Sequence, residues 1–184
     1  MRTIKWVGPA VAVALILLGG WMFFREDAGS YAVPSELCEV PVDSSTLQPL
    51  LPDGEELEVY EPDVDPPPAA VILMCRVHID SEGAMALNVR AFPAPSGDLM
   101  EKFRAARSAY GIANPHEDTI GGEYAIVDAG GSLLETACPG QGEEAILEIN
   151  IKDFSVQGDS DEGRERMKNF TEDFMNSARE VYCR

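Results

Sequence analysis

The chain has 184 residues, of which 32 are acidic and 14 are basic, and its formal net charge is −18. Its apolar content of 45% is typical of a globular protein, which excludes a disordered tail or a fibrous repeat. All acidic side chains follow residue 25, so residues 26–184 carry 11 basic against 32 acidic residues, a net charge of −21. This excess of negative charge argues against nucleic acid as a partner.

The N-terminal segment indicates where the protein resides. Residues 6–24 contain no charged side chain, and at 1.5 Å per residue such a helix spans roughly the 30 Å of a bilayer core. Arg2 and Lys5 precede this run, whereas Glu26 and Asp27 follow it closely, so the positive-inside rule places the N-terminus in the cytoplasm. We therefore predict a single-pass cell-membrane protein with an extracytoplasmic domain, in which residues 6–24 form an uncleaved anchor. A cleaved signal peptide is the alternative.

Three parts of the chain follow from this interpretation: an anchor (1–25), a polar tether (26–35) and an extracytoplasmic domain (36–184). Apolar periodicity, caps and turn residues predict the elements of the domain in chain order. They are a short helix near 44–51, a hairpin of strands 71–80 and 86–92, a helix from residue 96 that Gly111 ends, a meander of strands 124–128, 133–138 and 145–151, and a terminal helix through 167–181.

This order predicts the fold class α+β. We expect the single N-terminal transmembrane helix to be followed by an antiparallel sheet of about five strands packed with two or three helices. A doubly wound sheet is not indicated, because the sequence shows neither a βαβ pattern nor a glycine-rich turn.

The four cysteines, Cys38, Cys75, Cys138 and Cys183, are an even number on the exported side of a membrane, which favours two disulfides. Sequence alone allows three connectivities, and we expect Cys38 to pair with Cys75 and Cys138 with Cys183. Each bridge would then tie a terminal or helical segment to a strand. A metal site is not predicted, since no two cysteines stand at C-x-x-C spacing.

No catalytic residue and no cofactor-binding motif is predicted. His78 falls on the face of its strand opposite the apolar residues, and His116 follows the turn-forming pair Asn114 and Pro115, so we expect a surface histidine and a loop histidine. The sequence has no phosphate loop, no H-E-x-x-H, no G-x-S-x-G and no dinucleotide fingerprint.

Two acidic clusters have the oxygen ligands that calcium prefers, but their spacing does not match a 12-residue EF-hand loop. They are Asp53, Glu55, Glu56 and Glu58 in one case, and Asp159, Asp161, Glu162 and Glu165 in the other. We expect solvated surface loops there and predict no metal site.

Several short motifs resemble those of small exported proteins of actinobacteria that carry an N-terminal anchor. The motifs are Cys38 before Leu47, Leu50 and Leu51, the strand cysteine Cys75, the run Thr136-Ala137-Cys138-Pro139 before an alternating strand, and a terminal helix with Phe170, Phe174, Asn176 and Ala178 that ends in Cys183. The layout is more distantly similar to envelope sensor-like domains of mycobacterial kinases and lipoproteins. This resemblance implies extracytoplasmic binding rather than catalysis, although the chain lacks a lipobox and a cytoplasmic domain.

Three functions remain open on this basis. The first is a membrane-tethered, non-enzymatic protein-interaction module whose acidic surface meets a basic protein partner or cations. The second is a sensor domain for a small ligand or glycan, with a pocket between sheet and helices lined by Phe92, Phe103 and Tyr124. The third is a carboxylate-based envelope hydrolase, which needs two converging acids, one with a shifted pKa.

Overall fold

The computed structural model describes residues 31–63, 70–93, 97–138, 145–156 and 158–183. The predicted anchor at residues 6–24 lies outside these residues. Among the helices that are described, none is long and apolar enough to cross a membrane. Residues 31–35, which we assigned to the tether, already contact the domain, because Val33 packs against the main core and the Tyr31 hydroxyl donates to the Pro52 carbonyl.

Nine strands are present in the described residues, and all neighbouring strands are antiparallel. In chain order they are β1 (Glu36–Leu37), β2 (Val40–Pro41), β3 (Leu57–Tyr60), β4 (Val71–Ile79), β5 (Glu82–Pro93), β6 (His116–Ile120), β7 (Glu123–Asp128), β8 (Gly131–Cys138) and β9 (Ala145–Asp153). Strands β1 and β2 form a small hairpin, and the other seven form one sheet in the order β3-β4-β5-β9-β8-β7-β6.

Four α-helices accompany the sheet in the described residues: α1 (Ser44–Leu47), which continues into a 3-10 turn (Gln48–Leu50), α2 (Leu99–Ala105), α3 (Arg107–Tyr110) and α4 (Asp161–Tyr182). Only α4 is longer than two turns. Ser160 caps it by accepting from the amide of Gly163, and Met167, Phe170 and Phe174 form its buried stripe.

The predicted fold class is wrong. The sheet has seven strands rather than about five, and the described chain is dominated by sheet with one long helix, not by an α+β balance. The prediction missed β3 and β6, the two edge strands, because β3 is only four residues long and β6 is mostly polar. Edge strands carry little apolar alternation, so periodicity does not reveal them.

One predicted turn and one predicted helix also differ in detail. The β4–β5 hairpin turns at Asp80 and Ser81, both with positive φ. The predicted strands, 71–80 and 86–92, leave a longer turn of five residues that begins at Ser81. The helix predicted from residue 96 begins after Asp98, whose carboxylate accepts from the amide of Glu101, and Ala106 divides it into α2 and α3. Gly111, with φ 76°, ends α3 as expected.

The two faces of the sheet are covered differently. The main core contains the alternate residues of β4 that begin with Leu73, together with Phe170 and Phe174 of α4 and the N-terminal segment around Leu47. A smaller core on the opposite face holds Phe103 and Tyr110 of α2 and α3 against Ile126 and Leu133 of β7 and β8. On that second face α3 contacts β8 and β9, and β3, β4 and β5 lie to one side of the short helices.

Both expected disulfides are present: Cys38 is bonded to Cys75, and Cys138 to Cys183. Cys75 and Cys138 both belong to the main core. The bridges therefore attach the N-terminal segment and the end of α4 to the same face of the sheet.

Candidate functional site

The part of the sheet over which no described helix packs carries a group of polar and aromatic side chains that we call the open face. Its members are Tyr60, Met74, Arg76, His78, Asn88, Arg90, Lys152 and Phe154, all half-buried or exposed. In β4 they alternate with core residues such as Cys75 and Val77, so a strand period of two places them on the outer side.

Strand register places two cations in one row of the open face. Tyr60 pairs with Arg76, Arg76 with Ala86, and Ala86 with Lys152 across β3, β4, β5 and β9. Arg76 and Lys152 thus lie two strands apart, about 10 Å between their Cα atoms. The small side chain of Ala86 leaves room between them.

Local contacts orient the Arg76 guanidinium. Its Nη1 donates to the Cys75 carbonyl at 2.9 Å and, at 3.4 Å, to Oδ1 of Asn88, the open-face residue on the adjacent strand. Both partners are neutral, so they position the guanidinium without neutralising its charge.

The Lys152 side chain is held by the loop that follows α3. Gly111 lies so close that a Cβ there would be 2.8 Å from Cδ of Lys152. The loop is fastened to the sheet by Asn150, whose amide donates to the Tyr110 and Ser132 carbonyls, and by the Asp128 carboxylate, which accepts from the amides of residues 113 and 114. These bonds fix the backbone that packs on the lysine stem.

The charges of the open face are incompletely balanced. Arg90 pairs with Glu148 at 3.1 Å, but within the described ranges neither Arg76 nor Lys152 forms an ion pair. Burial lowers the pKa of Lys152, and repulsion from Arg76 and Arg90 lowers it further. Burial also lowers the pKa of Arg76. An anion placed between the two cations would therefore relieve an existing repulsion.

Three rings, those of Tyr60, His78 and Phe154, form an aromatic strip on the open face. The strip lies next to the row of Arg76 and Lys152, which we call the cationic row. The rings of Tyr60 and His78 meet edge to face at 5.1 Å, and the Tyr60 hydroxyl lies 3.1 Å from His78 Nε2. The rings of His78 and Phe154 both approach Gly83, which has no side chain to separate them. Phe154 is 56% exposed, so its ring contributes little to the core.

A carboxylate pair lies next to the open face. Glu148 stands opposite Glu135 in the β8–β9 register, and burial raises the pKa of Glu148 although Arg90 partly offsets this. Glu135 is paired with Lys102 at 2.5 Å, and Glu148 is only 3% exposed. Each acid has its own cation and Glu148 is shielded from solvent, so the pair does not present two free carboxylates to a substrate.

The histidines are placed differently from each other. His78 is on the outer face of β4, as expected. His116 is not in a loop, as we had predicted, but begins the edge strand β6, where its Nε2 lies 2.9 Å from Asp159. The strand was missed because the polar residues of β6 hide its alternation.

The two acidic clusters differ in the contacts that their residues make. In the first, the amides of Glu55 and Glu56 donate to Asp80. In the second, each carboxylate has a basic partner; the pairs are Asp159 and Asp161 with Arg164, Glu162 with Arg166, and Glu165 with Lys168. Over the described ranges, no group of three potential ligands is arranged to hold a metal ion.

The aromatic residues proposed as a pocket lining do not share one environment. Phe103 is buried in the smaller core, and Phe92 lies beneath the Lys102 ammonium at 5.4 Å from the ring centre. Tyr124 is 42% exposed and borders a shallow groove of about 330 Å³ with Glu135 and Ile146.

Comparisons of the chain with protein families, with curated proteins and with solved structures find no match. The candidate site therefore rests on its geometry. The sequence predicts His78 on the outer face of its strand, and the period of two puts Arg76 there as well, but no local pattern brings Lys152 or Phe154 to them. Only the β5–β9 register, which joins distant parts of the chain, does so.

Proposed function

We propose that this chain is an exported, non-enzymatic binding domain whose open face takes an anionic ligand. The observation that carries the proposal is the pair Arg76 and Lys152, which flank Ala86 without an ion-pair partner among the described residues. In a chain of net charge −18, two such cations on an uncovered sheet face need a reason. Ligand binding supplies one.

The overall acidity does not prevent this binding. At physiological ionic strength the Debye length is about 8 Å, so most of the acids act weakly on a ligand at the open face. A bound anion instead interacts at contact distance with Arg76 and Lys152, where charge-assisted hydrogen bonds are strong. The acidic surface elsewhere repels polyanions more strongly than small anions, so it favours a small anion as the ligand.

Export is supported by two features. Two disulfides are typical of proteins that fold in an oxidising compartment, and residues 6–24 form an uncharged apolar run. Alkaline phosphatase fused after residue 184 tests the location, because this enzyme needs its own disulfides to become active. Activity of the fusion supports export, whereas an inactive fusion together with an active β-galactosidase fusion at the same point contradicts it.

A binding role is favoured over catalysis by the surroundings of the reactive side chains. His78 contacts the Tyr60 phenol rather than a serine or cysteine, and all four cysteines are in disulfides. Glu148, the carboxylate with a raised pKa near the open face, is buried and paired with Arg90.

Titration with inorganic phosphate, followed by amide NMR of the full chain, tests the proposal. We expect shifts centred on Arg76, Ala86 and Lys152, and a loss of affinity of at least about tenfold in Lys152→Gln, the cost of one charge-assisted hydrogen bond. Lys168→Gln is the matched control, because it removes the same charge from α4, where Lys168 pairs with Asp118. Equal losses in both variants, or no shifts at the open face, would contradict the proposal.

A basic protein partner is the second candidate, favoured by a groove of about 380 Å³ between α1 and α4. Two acids, Glu172 and Asp173, and one base, Arg166, line it together with polar residues such as Thr46 and Asn176. Asp173 is already engaged, since its carboxylate accepts from the Asp43 amide and the Thr46 hydroxyl. Glu172→Gln should weaken capture of a basic partner and leave phosphate binding at the open face unchanged.

A further inference from the structure

The aromatic strip and the cationic row together define more than an anion site. We infer that the open face recognises an acidic saccharide, with its sugar ring on the aromatic strip and its carboxylate or phosphate group between Arg76 and Lys152. This inference rests on the proposed function and names the class of ligand.

The spacing of the two features suits a single sugar unit. His78 follows Arg76 by two residues in β4, and Phe154 follows Lys152 by two residues at the end of β9. Two residues of a strand rise about 7 Å, so His78 and Phe154 lie in a row parallel to the cationic row at that offset. Tyr60 is in register with Arg76, and its ring meets that of His78. A hexose with an acidic substituent bridges this distance, whereas a bare inorganic anion reaches only the cationic row.

The chemistry of the strip fits a sugar face. The face of an aromatic ring carries negative charge density, which attracts the polarised C–H groups on one side of a pyranose. Phe154 offers such a ring at the surface, and Gly83 adds no side chain between this ring and that of His78.

Hydroxyl groups of the ligand would also find partners. The Tyr60 hydroxyl, the His78 imidazole and the Asn88 amide can each donate or accept a hydrogen bond, and all three belong to the open face. Such mixed donors and acceptors beside rings and cations favour a polyhydroxylated acid over an apolar one.

Calorimetric titration of the full chain compares five probes: glucose, inorganic phosphate, glucose 6-phosphate, glucuronate and adenosine monophosphate. We expect glucose 6-phosphate or glucuronate to bind at least about tenfold more tightly than phosphate or glucose, because only they engage both features. The ratio of the affinities for these two acids distinguishes a phosphorylated from a carboxylated saccharide as the preferred ligand.

Two variants assign the parts of the site. Phe154→Ala should lower the affinity for the acidic sugar by roughly fivefold, the worth of one aromatic contact, and leave phosphate binding unchanged. Tyr124→Ala removes another exposed aromatic ring, on β7, and should change neither the affinity for the acidic sugar nor that for phosphate. Lys152→Gln should weaken both ligands.

The failures of the two proposals are distinguishable. If phosphate binds at Arg76 and Lys152 but acidic sugars bind no better and Phe154→Ala has no effect, the saccharide inference is wrong and anion binding stands. Tighter binding of adenosine monophosphate than of both acidic sugars would likewise overturn the inference in favour of a nucleotide. If no probe binds, the proposed function fails as well.

Discussion

Gly111 packs directly on the side chain of Lys152. A Cβ at position 111 would lie 2.8 Å from Cδ and 3.0 Å from Cγ of the lysine, and the φ of Gly111 is 76°. The backbone after α3 therefore fixes the direction in which the Lys152 ammonium projects, and the lysine cannot keep its position if residue 111 gains a side chain.

Gly111→Ala should consequently disturb both stability and binding, and Gly122→Ala separates these effects. Gly122 also has positive φ, 90°, but no atom lies within 4 Å of the position of its Cβ. We expect each variant to lose about 1 kcal/mol of unfolding free energy from backbone strain. Only Gly111→Ala should also weaken phosphate binding. Urea unfolding and phosphate titration check this, and equal phosphate affinity in both variants would show that Gly111 does not position the lysine.

The bridge between Cys138 and Cys183 closes a loop with a sequence separation of 45 residues. Its replacement by two serines should lower the unfolding free energy by about 4 kcal/mol, since the unfolded chain regains the entropy of an open loop. Denaturant unfolding measures the loss. The same exchange at Cys38 and Cys75, with a separation of 37 residues, provides a comparison of similar expected size. A loss below about 1 kcal/mol in both variants would contradict the entropic interpretation.

Asp153 should make the protein less stable as the pH rises. The residue is only 6% exposed, its Oδ2 has no hydrogen-bond partner within the described part of the chain, and burial raises its pKa above 3.8 although Ser155 donates to Oδ1. The native state thus holds a proton that the unfolded state has already lost. Stability falls as the pH rises from about 3.8 to the raised native pKa, and the loss is complete above it.

Asp153→Asn removes this titration, so its unfolding free energy relative to the wild type should increase with pH over that window and then level off. Asp43 should change the stability with pH in the opposite direction, because the hydrogen bond from the Ser45 amide lowers its pKa. Asp43→Asn should therefore lose stability relative to the wild type as the pH rises. Chemical denaturation between about pH 2 and 7 measures both, since the window of Asp43 lies below 3.8. A pH-independent difference for Asp153→Asn would refute the assignment.

Ser132 and Thr171 join β8 to α4 through a buried hydrogen bond of 2.8 Å between their hydroxyl groups. The Thr171 hydroxyl also donates to the Met167 carbonyl at 2.6 Å. Ser132→Ala and Thr171→Val should each cost about 1 kcal/mol or more, and the double variant should cost less than their sum because no buried partner is left unpaired. A double-mutant cycle of unfolding free energies tests the coupling, and strict additivity would show that the two hydroxyls act independently.

The parts of the fold that sequence predicts are those with strong local patterns. The alternation of Leu73, Cys75 and Val77 reveals β4, and the helical spacing of Met167, Phe170 and Phe174 reveals α4. The edge strands β3 and β6 lack such a pattern because much of each strand faces solvent. Ala106, where the chain leaves α2 with φ −130° and enters α3, lies within an unbroken helical periodicity and gives no warning of the break.

For the same reason, the sequence predicts only those residues of the candidate site that lie on one strand. Arg76 and His78 are placed on the outer face by the local period of β4, but their neighbours come from elsewhere in the chain. Lys152 reaches Arg76 only because β9 pairs with β5, and a shift of that register by one residue would turn the lysine to the other face. Local patterns carry no information about such long-range pairing.

The two bridges also determine what happens to the chain when a peptide bond is cut. Any single cut between Cys38 and Cys75, or between Cys138 and Cys183, leaves both fragments joined by a disulfide. The acidic, proline-rich stretch at residues 61–68 and the glycine-containing segment at 139–144 fall inside these two covalent rings. A single proteolytic nick in either segment would therefore release no fragment, and the domain would stay one covalent molecule.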